Sequence, residues 1–128
     1  MARILLVDDE RDVVTLIKFM LEKDGHTVIA AYDGAEALAK AGIEPRDETA
    51  VTPDLVILDV MMPVMDGYAV CARLQEDART KAVPVLVLTA KGAVKDDFKP
   101  DCRATEHLEK PFDPKTLRAL VAGLLEKR

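Results

Sequence analysis

Apolar positions follow two alternating rhythms along the chain. Short unbroken runs at Arg3 to Val7, Thr27 to Ala31, Leu55 to Asp59 and Val83 to Leu88 read as strands buried on both faces of a parallel sheet. A fifth, more polar candidate, Thr105 to Lys110, suits a sheet edge. Between these runs apolar residues recur at three- and four-residue spacing. Val13, Val14, Ile17, Met20 and Leu21 predict a helix over residues 11–23, stopped by Asp24-Gly25, with Gly25 suited to a left-handed C-terminal position. Asp33-Gly34 opens a helix through Ala35, Leu38 and Ala41, with Asp33 as its cap. Asp66 caps a third helix with Ala69, Val70 and Leu74 inward. Val94 and Phe98 mark a weaker helix within Gly92 to Asp101, cut short by Pro100. Leu117, Leu120, Val121, Leu124 and Leu125 form the clearest stripe, with Asp113 as N-cap and Pro114 at the first helical position.

Five β-then-α units in strict alternation imply an α/β domain over residues 1–128, a doubly wound (βα)5 unit with helices on both sheet faces. Residues 44–53, EPRDETAVTP, read as a surface loop and not as a linker, because neither side holds a second domain's worth of chain.

Composition narrows the class. Apolar residues make up 49% and charged residues 32% of 128, an ordinary globular balance. Trp is absent, so the core is aliphatic. A net charge of −5 argues against nonspecific binding of nucleic acid or an anionic membrane by this domain. No apolar run approaches the roughly 18 residues of a membrane span, and MARILLVDDE reads as a first strand and not as a signal peptide, so the expected location is cytoplasmic. Cys71 and Cys102 form no CxxC pair and read as small packing residues in a reducing compartment.

The candidate chemistry lies where the apolar runs end. The first run ends in Asp8-Asp9, the third in Asp59, the fourth in Thr89 and the fifth in Lys110. In an open parallel sheet all of these face one edge, the edge where ligands bind. Crowded carboxylates repel one another unless a cation joins them. An all-oxygen donor set favours a hard ion such as Mg²⁺. Three ionised Asp, one Lys and one Mg²⁺ come to zero net charge, so a phosphoryl group could approach. Asp59 is then a competent nucleophile, with Thr89 and Lys110 able to hold phosphoryl oxygens.

These residues resemble the receiver domain of two-component response regulators. The resemblance rests on Asp8-Asp9, on Asp59 in LDVMMPVMDG, on Thr89 in VLTA and on Lys110-Pro111-Phe112, and it covers essentially the whole chain. It implies a strand order of 2-1-3-4-5. It implies that Asp59 accepts a phosphoryl group from a sensor histidine kinase, a phosphotransfer protein or a small donor such as acetyl phosphate. Mg²⁺ (or Mn²⁺) would be held by Asp9, Asp59 and the backbone carbonyl of Met61, with Asp8 acting partly through water. Thr89 and Lys110 would bind phosphoryl oxygens, and the Lys110–Pro111 bond would be cis. Such a domain is not a conventional enzyme, although it catalyses its own aspartyl phosphorylation and dephosphorylation. Phosphorylation would shift it between inactive and active conformations that control an output domain or partner protein. A phosphorylation-dependent homodimer is among the assemblies the resemblance allows.

The chain departs from the family pattern in places. Where the family carries Tyr or Phe, this sequence has His107, which leaves three roles open: a smaller rotating switch, a pH-sensitive one, or an edge-strand surface residue. Met61 and Lys91, two residues after Asp59 and Thr89, are expected to tune phosphoryl lifetime. A degenerate receiver acting only through protein contacts is the alternative. A phosphatase of the haloacid-dehalogenase type wants a DxDx(T/V) run after the first strand, and a nucleotide binder wants a Gly-rich turn there; DDERD offers neither. Whether the domain stands alone or belongs to a larger regulator stays open.

Overall fold

The structure, a computed structural model, describes residues 2–60, 67–89 and 105–126. Among these, the elements in chain order are β1 (Arg3–Val7), α1 (Arg11–Lys23), β2 (Thr27–Ala31), α2 (Gly34–Lys40), β3 (Leu55–Asp59), α3 (Gly67–Glu76), β4 (Val85–Thr89), β5 (Glu106–Glu109) and α4 (Pro114–Glu126). The strands form one parallel sheet in the order β2-β1-β3-β4-β5. The short helix predicted within Gly92 to Asp101 lies outside the described residues.

Side chains alternate across a strand, so each strand feeds both faces of the sheet. Leu5, Val7, Val56, Leu58, Val85 and Val87 pack with α2 and α3 through Ala37, Leu38, Val70 and Leu74. Ile4, Leu6, Leu55, Ile57, Leu86 and Leu88 pack with α1 and α4 through Val14, Ile17, Leu21, Leu117, Val121 and Leu124. This double burial is why β1, β3 and β4 read as unbroken apolar runs.

Local signals account for most boundaries. Gly25 takes a φ of 92° after α1, a left-handed conformation that costs glycine little. The Asp33 carboxylate accepts from the Glu36 N–H at 2.7 Å, and Asp113 accepts from the Lys115 N–H at 3.0 Å, so both act as N-caps. Some expectations need correction. β4 starts at Val85 and not at Val83, because Pro84 has no N–H to give; its carbonyl instead receives the Val56 N–H at 3.0 Å. β5 is shorter than predicted, Glu106–Glu109, with the polar ends of Thr105 to Lys110 leaving the strand. In α2, Ala37 turns inward while Ala35 is exposed. In α3 the inward face is Gly67, Val70, Cys71 and Leu74, which keeps helical spacing better than a face through Ala69, and Ala69 is exposed. Asp66, the predicted cap, lies outside the described residues. Cys71 is buried and disulfide-bonded, which corrects the expectation of a free packing thiol; which sulfurs meet depends on tertiary placement that spacing does not encode. Cys102 lies outside the described residues.

The surface loop at residues 44–53 is anchored. Arg79, beyond α3, donates to the carbonyls of Ala41 at 2.9 Å and Asp47 at 3.1 Å. Arg46 pairs with Asp77 at 2.9 Å, and Arg73 pairs with Glu44. The Glu44–Pro45 bond is cis.

Candidate functional site

Sheet register assembles the site. Val7 pairs with Leu58, Asp59 with Leu88, and Thr89 with Glu109. Asp8 follows Val7, and the Lys110 N–H continues the ladder by donating to the Thr89 carbonyl at 2.7 Å. Asp8, Asp59, Thr89 and Lys110 therefore come from four neighbouring strands at one level of the sheet. The chain turns to opposite sides of β1 on entering β2 and β3, which makes this edge a topological switch point.

The side chains converge on Lys110. Its ammonium Nζ lies 2.9 Å from Asp8 Oδ2, 3.3 Å from Glu10 Oε1 and 3.5 Å from Asp59 Oδ2. Asp8 is fully buried and Asp59 nearly so, whereas Asp9 and Glu10 are exposed. Burial pushes the Asp8 carboxyl above its usual range, and the Asp59 charge pushes the same way, against hydrogen bonds from the Glu10 N–H and Lys110 that lower it. For Lys110, desolvation favours the neutral amine, but the hydrogen bond to Asp8 and the charges of Asp59 and Asp8 together outweigh it, and its pKa is raised. A positive lysine is thus held among anionic carboxylates.

Asp8, Asp9, Glu10 and Asp59 each offer a carboxylate oxygen, and these oxygens all lie within 4.8 Å of one another. A compact set of hard oxygen donors, carrying more negative charge than one lysine balances, fits a divalent cation such as Mg²⁺. Glu10 is the member that reading strand ends left out. Its signal is the third acid of DDE, which makes no side-chain cap on α1.

Gly67 also had an unread role. Its N–H donates to the Val60 carbonyl at 3.2 Å, and a Cβ there would sit 2.6 Å from Val60 Cα and 2.8 Å from the Asp59 carbonyl carbon. The first residue of α3 packs directly on the backbone that carries Asp59, and only glycine fits.

The remaining predicted residues are placed as follows. Thr89 ends β4, half-buried. The Lys110–Pro111 bond is cis. His107 lies half-buried on the edge strand β5 opposite Val87, with its backbone N–H donating to the Glu106 carboxylate at 3.2 Å. Met61 and Lys91 lie outside the described residues. No described helix is long and apolar enough to cross a membrane.

Comparison with known proteins gives one consistent result. The profile of the family described as response regulator receiver domain matches residues 4–122. The chain is 40% identical over 128 residues to the DNA-binding dual master transcriptional regulator RpaA of Synechocystis, covering 99% of this chain and 50% of that protein. It is 38% identical to protein PilH of Pseudomonas aeruginosa, covering 96% of this chain and 100% of that one. The crystal structure of chemotaxis protein CheY4 of Vibrio cholerae superposes with a TM-score of 0.84 at 32% identity, covering 97% of this chain and 98% of that one. The chain spans about half the length of the curated transcriptional regulators it matches.

Proposed function

The chain belongs to the response regulator receiver domain family of two-component signalling, and from that premise we propose that it accepts a phosphoryl group on Asp59 and passes the signal to an output domain or partner protein. Receiver domains pair with histidine kinases, so the donor is a phosphohistidine or a small acyl phosphate. The observation that carries the reading is the Lys110 ammonium drawn among Asp8, Glu10 and Asp59 at the switch point of the sheet.

Mg²⁺ would be held by Asp9, Asp59 and the Met61 carbonyl, with Asp8 acting partly through water, and it would supply positive charge against the phosphoryl oxygens. The chain does the rest. An Asp59 carboxylate oxygen attacks phosphorus and forms the acyl–phosphate O–P bond. The bond from phosphorus to the donor's imidazole nitrogen, or to the acetate oxygen of acetyl phosphate, breaks and takes its electron pair with it. Lys110 gives a hydrogen-bonded point charge to one phosphoryl oxygen, and the Thr89 hydroxyl donates to another. Burial of Asp59 keeps bulk water from competing at the acyl phosphate. Thr89 and His107 would carry the change of state outward as a shift between two populated arrangements. Met61 and Lys91 would set how long the phosphoryl group persists.

Incubation with acetyl phosphate and Mg²⁺ should add the mass of one phosphoryl group. The gain should vanish in Asp59→Asn and survive in Asp66→Asn. A wild-type chain that gains no mass, even with a broad-specificity histidine kinase as donor, would overturn the proposal in favour of a receiver that works by contact alone.

A further inference from the structure

We propose that Glu10 is a positioning residue that holds Lys110 in the unphosphorylated chain and releases it to the phosphoryl group, competing with that group for the ammonium. The inference rests on Asp59 being the phosphoryl acceptor. An ammonium has three N–H donors, and Lys110 has three carboxylates around it: Asp8 at 2.9 Å, Glu10 at 3.3 Å and Asp59 at 3.5 Å. The ammonium donates hydrogen bonds to Asp8 and Glu10 and is ion-paired with Asp59, so a phosphoryl oxygen on Asp59 gains the lysine's full charge only as far as Asp8 or Glu10 gives it up.

The three are not equal in what release costs them. Asp8 has no exposed surface, so water cannot take the lysine's place on its carboxylate. Asp59 carries the phosphoryl group itself. Glu10 has a side chain 61% exposed, so water can take over its carboxylate at once. Its backbone stays put, because the Glu10 N–H is tied to Asp8 Oδ1 at 2.9 Å. Glu10 is thus a fixed anchor with a movable charge at the mouth of the site. That charge does two opposing things: it strengthens the anionic set that attracts a divalent cation, and it weakens Lys110 as a phosphoryl ligand.

The opposition gives a signature that a purely structural residue would not produce. Glu10→Gln should raise the rate of phosphorylation by acetyl phosphate at saturating Mg²⁺ by about two- to five-fold, the range for one exposed ion pair. It should also weaken Mg²⁺ binding, read by calorimetry on the unphosphorylated chain, by a similar factor. Glu10→Asp keeps the charge but shortens the reach; it should speed phosphorylation while holding Mg²⁺ affinity near wild type. Glu22→Gln, which removes an exposed charge elsewhere on α1, should change neither. If Glu10→Gln phosphorylates no faster than wild type at saturating Mg²⁺, while wild type still gains one phosphoryl group that depends on Asp59, this inference falls and the receiver function stands. If wild type gains no phosphoryl group, the function falls, and this inference with it.

Discussion

Replacing Gly67 by alanine tests how tightly the position of Asp59 depends on its backbone neighbour. The new methyl would lie 2.6 Å from Val60 Cα and nearer still to the Asp59 carbonyl oxygen, and ordinary contact begins at 3.4 Å, so the two segments must part by at least 0.8 Å. Both contacting groups are backbone, which has no rotamer to yield. Overpacking of this kind costs typically about 1–3 kcal/mol, and a misplacement near 1 Å in a reacting group costs on the order of 10²-fold in rate. Urea unfolding should therefore show a loss of about 1–3 kcal/mol, and phosphorylation by acetyl phosphate should slow by on the order of 10²-fold. Gly123→Ala supplies the counterpart: it makes the same chemical change inside α4, where a Cβ meets nothing within 4 Å. That variant should gain roughly 0.5–1 kcal/mol from helix propensity and phosphorylate normally. A Gly67→Ala chain with wild-type stability and wild-type rate would refute the close-approach reasoning.

Three further outcomes are expected. Arg79→Ala should cost about 1–2 kcal/mol in chemical unfolding and open residues 44–53 to proteolysis, because it removes a charged donor from the Ala41 and Asp47 carbonyls. The Arg118 guanidinium, hydrogen-bonded to Asp24 at 2.6 and 2.9 Å, holds that carboxyl below its usual range. A depressed folded pKa favours the ionised form in the folded chain, so this stabilisation is complete above the ordinary Asp value of about 3.9 and is lost as pH falls through the lower folded value; Asp24→Asn should melt lower than wild type at neutral pH, with the gap closing across that acid window. Mg²⁺ at a hundredfold excess over its dissociation constant should stabilise wild type by about 2.7 kcal/mol, reversed by chelation and absent from an Asp8→Asn/Asp59→Asn double variant, as melting curves would record.

The interior of the sheet was legible because burial on both faces leaves a continuous apolar run, and β1 and β3 fall on the residues that the runs predicted, as does the partly exposed edge strand β2. The strand-end residues were legible for the same reason: a polar residue directly after such a run has one place to go. Contacts between residues far apart in the chain were not. Arg79 reaches back 38 positions to Ala41, and no local pattern marks an arginine as a loop clamp. Glu10 carried no sign of its role because its partner, Lys110, is 100 residues away, just past an edge strand. Gly67 carried no mark of its role, since composition shows a missing side chain but not the backbone that excludes one. Cys71 looked like packing, because only the fold decides which sulfurs meet.

The neighbours of each strand also divide the site by lability. Asp8 follows β1 and Asp59 ends β3, interior strands hydrogen-bonded on both sides and buried but for the half-buried Arg3, while Lys110 follows β5, which among the described residues has only β4 beside it and is partly exposed along its whole length. Amide protons on β1 and β3 should exchange with solvent only through global unfolding, and those on β5 through a smaller and cheaper opening. The carboxylate floor and the lysine therefore belong to units of different cooperativity. A fluctuation can withdraw the cation and leave the acidic cluster intact, and no local fluctuation does the reverse.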